Sequence, residues 1–576
     1  MSHSARDVLE DNGPAGVCDI LSPVQFPSGR SLKNRLVKVA LYEHFATLFG
    51  GPPNAAHYEL YQRWSEGDWG MVITGNVQVE RDHLSLGRDM IVPGVLISEG
   101  IAPFKKLASV IHGEGFRSLD PSSEHRRRPM AILQLSHSGR QSANVLGGRW
   151  PFVRPLAPSP LPLGRSPTSR LGPRSSLSVL FSDFIHALAF QVPRAMSTRH
   201  IDGTIEAFVR GAQLAARSGF DGVELHAAHG YLIAQFISPK SNNRTDEYSV
   251  TDHPLRFLHR IVTGIRSCDD MPQDFILGVK LNASDYVSRP QDDKLSAQGE
   301  PPTADEERAL SHVNEIASWR MVDFIEVSGG DYENADFLST RSSQRQALFA
   351  NFSRRALQVL SADSPSENSQ HRSDVGTHGE DTSKISSRCS PLVLLTGGFR
   401  SVPLLASALR QQHAHLLGAG RLSILCPDLP LRLRQALSNP EDDLAQAILT
   451  ESFPEPNLVL GRSPLHGSWG RTLRYKLEST LVSAVLALWA LLPVELPKLV
   501  GAGTNMAWYV VMMRRTAAGQ EVDYSVSGVG AVIRMWLWVA PTSDGESWVQ
   551  RIWDSWIVMG LIGVTIGFVL GSYLQI

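Results

Sequence analysis

Between about residue 23 and residue 433, short apolar runs alternate eight times with longer amphipathic stretches. The runs fall at 36–41, 71–77, 130–134, 222–226, 276–281, 324–327, 392–396 and 415–418. Most are apolar on both faces, the pattern of parallel strands covered on each side by helices. The stretch 202–218 (DGTIEAFVRGAQLAARS) carries apolar residues at helical spacing, with a start signal at Ser197 and Thr198. Eight such units in order predict an α/β chain closed into a (β/α)8 TIM barrel. A doubly wound open sheet is the alternative. It lacks its main signal, because no GxGxxG joins a first strand to a helix.

At 576 residues the chain exceeds a barrel of about 250 residues, so further elements must accompany it. A net charge of -2 gives no reason to expect nucleic acid as a partner. Cys18, Cys268, Cys389 and Cys426 are scattered with no CxxC, which argues against a disulfide framework and for a reducing compartment. The polar start, MSHSARDVLEDNGPAG, has no secretory apolar core. Residues 1–19 read as a flexible lead-in, 20–435 as the barrel and 436–550 as a helical extension. Three polar stretches, 117–128, 288–307 and 361–390, have too little apolar surface to offset ordering entropy and read as disordered surface loops.

The far end differs. Residues 556–574 (WIVMGLIGVTIGFVLGSYL) are uncharged and, as a helix, would span about 28 Å against a hydrocarbon core of about 30 Å. Trp553 and Trp556 suit a headgroup interface, and Gly563, Gly567 and Gly571 share one helix face. This predicts a C-terminal transmembrane helix that tethers a cytosolic barrel to an intracellular membrane. The apolar run 481–492 is too short to span and reads as a core or interfacial helix.

The chemistry concentrates in residues 222–248, GVELHAAHGYLIAQFISPKSNNRTDEY. If 222–226 is the fourth strand, His226 and His229 leave its C-terminal end, where barrel active sites lie. Two imidazoles can polarise one carbonyl or nitro oxygen, and the phenol of Tyr231 can donate a proton. In isolation an HxxH is more often a structural pair, and a metal reading lacks both HExxH and a Cys/His cluster.

This string resembles the HAAHGYLxxQFxSPxxNxRxDxY signature of the Old Yellow Enzyme family. Other stretches match in order: Asn34-Arg35-Leu36-Val37, Ile73-Thr74-Gly75, the QLSHSGRQ of residues 134–141, Gly278-Val279-Lys280-Leu281, Glu326-Val327-Ser328-Gly329-Gly330, Gly397-Gly398-Phe399-Arg400 and Gly420-Arg421. The resemblance covers about 20–435, and residues 498–515 look like the extended C-terminal part of fungal members. It implies FMN as cofactor, NADPH or NADH as hydride donor, and reduction of the activated C=C bond of a small unsaturated molecule. His226 and His229 would hold the substrate oxygen and Tyr231 would protonate carbon. Ala40, Tyr42, Gly75, Gln134 and Lys280 would surround the flavin ring, with Lys280 near N1 and O2. The backbone of Gly397, Gly398 and Gly420 and the guanidinium of Arg421 would grip the phosphate, since glycine admits a close approach and Arg binds it in a fork. A second copy of the chain is a further expected partner.

Three departures stand out. Lys280 replaces the family's frequent Arg, Tyr42 replaces a Thr or Cys that tunes the flavin, and Ser249-Val250 replaces the usual Gly-Gly after Tyr248. Tyr42, the missing Gly-Gly and the long inserts leave open a catalytically impaired, membrane-tethered barrel that serves as a binding protein. Because the same constellation serves both directions, a flavin enzyme that oxidises or isomerises a specialised metabolite is left open too.

Overall fold

The computed structural model describes residues 14–114, 128–163, 190–283, 304–329, 343–362, 390–439, 441–450, 452–458 and 498–538, together with 476 and 480. Eight parallel strands close a ring: β1 (Leu36–Lys38), β2 (Met71–Ile73), β3 (Met130–Ser136), β4 (Gly222–Ala227), β5 (Ile276–Asn282), β6 (Phe324–Ser328), β7 (Leu392–Thr396) and β8 (Leu416–Ala419). Each pairs with the next, and β8 returns to β1 with Leu417 opposite Leu36. Eight strand–helix units in order predict this closure, and the closed ring leaves none of the eight strands with an unpaired edge.

Side chains alternate along each strand. Val37, Ile73, Ile132, Ile276, Phe324 and Leu394 point inward and fill the lower barrel. Their neighbours Leu36, Val72, Leu133, Val223 and Ile325 face outward beneath the helices. Those helices are α1 (Pro14–Leu21), α2 (Ala55–Glu66), α3 (Ser98–His112), α4 (Thr198–Arg217), α5 (Arg256–Arg266), α6 (Ala304–Ser318), α7 (Ser343–Ala362) and α8 (Val402–Arg410). α4 starts at the signal read from sequence. The Ser197 hydroxyl accepts the His200 N–H at 3.3 Å, and His200 Nδ1 accepts the Ser197 N–H at 3.2 Å. At the N-terminal end of the barrel, a hairpin of Val24–Gln25 and Ser31–Leu32 sets Phe26 against Phe324, ring centroids 6.1 Å apart.

Some boundaries differ from expectation. The run 36–41 is a strand only to Lys38. The run 71–77 stops at Ile73 because Gly75 lies so close to its neighbours that a Cβ there would sit 2.3 Å from the Leu41 carbonyl oxygen. Val77–Gln78 then pairs separately with the upper end of β3. The polar stretch 288–307 is not all loop: its last residues open α6, where Asp305, Glu306 and Glu307 favour the positive end of the helix dipole. The rest of that stretch, and most of 117–128 and 361–390, lie outside the described residues.

The described part of the extension holds a helix at Asp443–Thr450, a non-helical stretch at 452–458 and two further helices. α9 (Lys498–Ala517) packs against α2 and against α10 (Gly528–Trp536). No helix among the described residues is long and apolar enough to cross a membrane. The segments 481–492 and 556–574 lie outside them. Cys18, Cys268 and Cys426 form no disulfide.

Candidate active site

β4 ends at Ala227, and the chain reverses through His229 (φ 55°) and Gly230 (φ 72°). The left-handed conformation is unusual for a histidine and holds its ring over the strand it has just left. His226 and His229 sit with centroids 5.0 Å apart, and the Tyr231 ring lies 4.6 Å from His226. His226 Nδ1 accepts the Ala228 N–H at 3.3 Å, which puts the His226 proton on Nε2. That proton faces His229 Nδ1 at 3.2 Å, and His229 Nε2 in turn faces the Ser328 hydroxyl on β6 at 3.0 Å. Burial holds the pKa of both rings well below the usual histidine value. For His226 the neighbouring His229 and then Lys280 add to this, and for His229 Lys280 does, so both rings are neutral.

The Tyr231 hydroxyl is buried among polar groups. Asn76 Nδ2 donates to it at 3.0 Å and Ser85 Oγ stands 3.3 Å away, itself 3.1 Å from Ser138 Oγ. Sequence reasoning missed Asn76, Ser85 and Ser138. Asn76, next to the expected Gly75, and Ser138, inside the QLSHSGRQ string, carried a local signal.

Below the histidines the barrel interior turns polar. Gln134 on β3 stands opposite Glu224 on β4 and donates to it at 2.6 Å. Lys280 on β5 is in register with His226 on one side and Glu326 on the other, and its ammonium pairs with Glu326 at 2.7 Å. Both side chains of that pair are sealed from solvent. Burial drives the Glu224 carboxyl well above the usual range and the Glu326 charge pushes the same way, with Lys280 opposing, so Glu224 keeps its proton. Glu224 and Glu326 were not expected in the site. Their signal was an acid on the same face as His226 or Lys280 within an otherwise apolar run. Gln134 Oε1 is buried with no donor, a vacancy suited to the imide N–H of a flavin's pyrimidine edge.

At the tips of β7 and β8 stand Gly397, Gly398, Gly420 and Arg421. Gly398 is left-handed (φ 58°). A Cβ on Gly420 would meet nothing closer than 3.5 Å, so its backbone is open to approach. Arg421 Nη1 is buried without a partner, and its guanidinium lies 6.0 Å over the Tyr509 ring of α9. An unmet guanidinium N–H beside these glycines fits a phosphate. Arg400, close by, is tied to Glu455 at 2.5 Å.

Gly75, Tyr42 and Ala40 lie on the loops and strand ends above the barrel interior. The Gly75 N–H is shared by Glu43 Oε1 (2.9 Å) and the Tyr61 hydroxyl (2.8 Å), so Gly75 supplies room rather than a donor. Tyr42 turns its hydroxyl toward Asp89, 3.5 Å away. Ala40 packs at the upper edge of the interior cluster.

Glu80, His83 and His137 gather within 4.8 Å, close enough to suggest a metal centre. The tautomers argue otherwise. His83 Nε2 accepts the Leu156 N–H (2.9 Å) and His137 Nδ1 accepts the Gly139 N–H (3.0 Å). The atoms facing Asp82 and Glu80 therefore carry the protons, whereas a metal-bound histidine donates from its distal nitrogen. The cluster is a hydrogen-bonded brace for the loop after β3.

Residues 19–320 match the model of the NADH:flavin oxidoreductase / NADH oxidase family. The NADH-dependent flavin oxidoreductase iliE of Neonectria sp. is 33% identical over 74% of this chain, which spans 48% of that protein's length. Its namesake from Hypocrea jecorina is 31% identical over 71% of this chain and 87% of its own. Among solved structures, a 2-naphthoyl-CoA reductase in complex with 2-naphthoyl-CoA superposes with a TM-score of 0.52 at 19% identity, over 73% of this chain and 52% of that one.

Proposed function

Because the chain belongs to the NADH:flavin oxidoreductase / NADH oxidase family, of Old Yellow Enzyme type with FMN as cofactor, we propose that it uses NADH or NADPH to reduce an activated C=C bond, as in an enone or enal. The observation that carries this reading is the meeting of His226, His229 and Tyr231 above the buried layer of Gln134 and Lys280. FMN, when bound, supplies the hydride chemistry. Gln134 and Lys280 would hold its ring, and Arg421 with Gly397, Gly398 and Gly420 its phosphate.

The residues do the rest. A substrate oxygen that enters between the histidines replaces the His226–His229 hydrogen bond; His226 Nε2–H donates to it, and His229 donates as well once its proton shifts to Nδ1 and its Nε2 accepts from the Ser328 hydroxyl. This draws electron density from the far alkene carbon, where hydride arrives. Tyr231 gives its proton to the carbon beside the carbonyl, and the Asn76 N–H steadies the phenolate left behind. Tight packing around Tyr231, which is 5% exposed, keeps water from quenching the step.

The test is Tyr231→Phe in the FMN-loaded protein. NAD(P)H should still bleach the flavin, while enone turnover falls about 10²–10⁴-fold. Undiminished turnover would remove Tyr231 from the mechanism, and a protein with no flavin absorbance after addition of FMN would remove the whole reading.

We also infer, from sequence alone, that residues 556–574 tether the barrel to a membrane. Truncation after Trp553 should move the protein from the membrane pellet to the supernatant. A full-length chain already in the detergent-free supernatant would end that idea.

A further inference from the structure

Resting on the reading that the flavin ring lies over Gln134 and Lys280, we propose that Glu326, the buried ion-pair partner of Lys280, is a proton acceptor coupled to flavin reduction, so that the holoenzyme takes up two protons for every two electrons.

The argument is one of charge in a sealed space. A lone buried cation beside the ring would balance the negative charge that hydride transfer leaves there. In this chain the cation is already balanced, because the Lys280 ammonium sits 2.7 Å from Glu326 Oε1 with both side chains almost fully buried. Glu224 adds no negative charge, since it keeps its proton. Glu224 Oε2 accepts from Gln134, which leaves Oε1, an atom with no hydrogen-bond partner, as the oxygen free to carry the proton. The resting cluster therefore holds one carboxylate, one carboxylic acid and one ammonium, and it is neutral.

Hydride from NADH or NADPH breaks one nicotinamide C–H bond and brings two electrons and one proton to the ring. The site would then carry one uncompensated negative charge in a medium that penalises it. The carboxylate nearest the change is Glu326. One solvent proton forms an O–H bond on it, the ion pair opens, and the Lys280 ammonium is released to face the reduced ring. The site is neutral again.

The groups around Glu326 permit this. β5 presents Lys280 and β4 presents Glu224, with Gln134 of β3 behind it. On the β7 side the register partner is Leu394, which has no charge. His226 and His229 above are neutral. Lys38 of β1, whose pKa burial lowers to about 7, also feels this cluster; its Nζ bonds the Ile73 carbonyl at 2.9 Å and lies over the Trp64 ring in the helix layer, so a second proton taken up there would survive in Glu326→Gln and count against the proposal.

The test is a spectro-electrochemical titration of the full-length, FMN-loaded chain between pH 6 and pH 8. The wild-type midpoint should fall with pH at the slope of two protons per two electrons, while the reduced ring keeps the absorption of its anionic form. Glu326→Gln should halve that slope, since Lys280 then meets the ring unopposed. A wild-type slope of one proton, or a two-proton slope that survives in Glu326→Gln, overturns the proposal. Should Glu326→Gln fail to fold, the wild-type slope together with the anionic spectrum decides. Lys280→Met tests the premise separately: an unchanged midpoint and spectrum would show that Lys280 is not beside the ring.

Discussion

Asp89 is the carboxyl most exposed to a change of pH at the rim of this site. It is buried and accepts from Gln78 Nε2 at 3.1 Å and from the Ser85 N–H at 3.1 Å, with the Tyr42 hydroxyl at 3.5 Å. Burial outweighs these donors and raises its pKa to about 6. An acid whose folded pKa lies above its unfolded value binds more protons folded than unfolded between the two. Stability must therefore fall as pH rises from about 4 to about 6, by about 3 kcal/mol in all. Asp89→Asn cannot ionise. Its stability in urea titrations should lack this fall, so that the variant gains on the wild type between pH 4 and pH 7. Parallel pH profiles for the two proteins would mean that Asp89 ionises in the fold as it does in the unfolded chain. Tyr42 would carry this ionisation toward the proposed flavin site, and its contact with Asp89 spans 47 positions of sequence. No local pattern announces such a pairing.

At the scale of elements, the barrel was legible because parallel strands covered on both faces must be apolar throughout, and that leaves a mark at each of the eight strands. The ends of those strands were less legible. β2 stops where the backbone of Gly75 is pressed between Glu43 and Leu41, a tertiary collision that periodicity cannot register. The site divides in the same way. His226, His229 and Tyr231 are neighbours in sequence and could be read together, whereas Gln134, Glu224, Lys280 and Glu326 become one cluster only through strand register. Gly75 and Gly203 show how far context decides. A Cβ on Gly75 would lie 1.9 Å from Glu43 Oε2 and 2.3 Å from a backbone oxygen, while one on Gly203 in α4 would meet nothing within 4 Å. Gly75→Ala should lower stability by about 1–3 kcal/mol and loosen FMN, because the loop bearing Glu43 must move. Gly203→Ala should raise stability by about 0.5–1 kcal/mol through helix propensity alone. Thermal unfolding of the two variants checks both signs, and a silent Gly75→Ala would show that the crowding relaxes at no cost.

At the scale of the molecule, the extension reaches the site it follows by some hundred residues. Arg514 on α9 donates to the carbonyl oxygens of Arg534 and Met535 at its own end of the chain and to that of His44 in the loop after β1. Its guanidinium stacks 4.2 Å from the Trp538 ring, and Trp536 meets His44 edge-on at 5.2 Å. His44 in turn meets Tyr42 at 5.8 Å. A buried arginine tied to carbonyls on both sides of a junction differs in kind from an exposed ion pair such as Arg217 with Asp270, where both partners are more than a third exposed. The exposed pair should contribute at most about 1 kcal/mol, screened by salt. Arg514→Ala leaves several buried carbonyls without donors and empties a stacked layer, which should cost about 2–5 kcal/mol. If the extension only stabilises, the variant will keep its kcat below its melting temperature. If it also sets the position of the Tyr42–His44 loop, kcat or KM will change at temperatures where the protein remains folded. We expect the second outcome, because the aromatic chain from Trp536 through His44 ends on Tyr42, which we propose borders the flavin. Steady-state kinetics of Arg514→Ala and Arg217→Ala, side by side at 20 °C below the lower midpoint, separate the two.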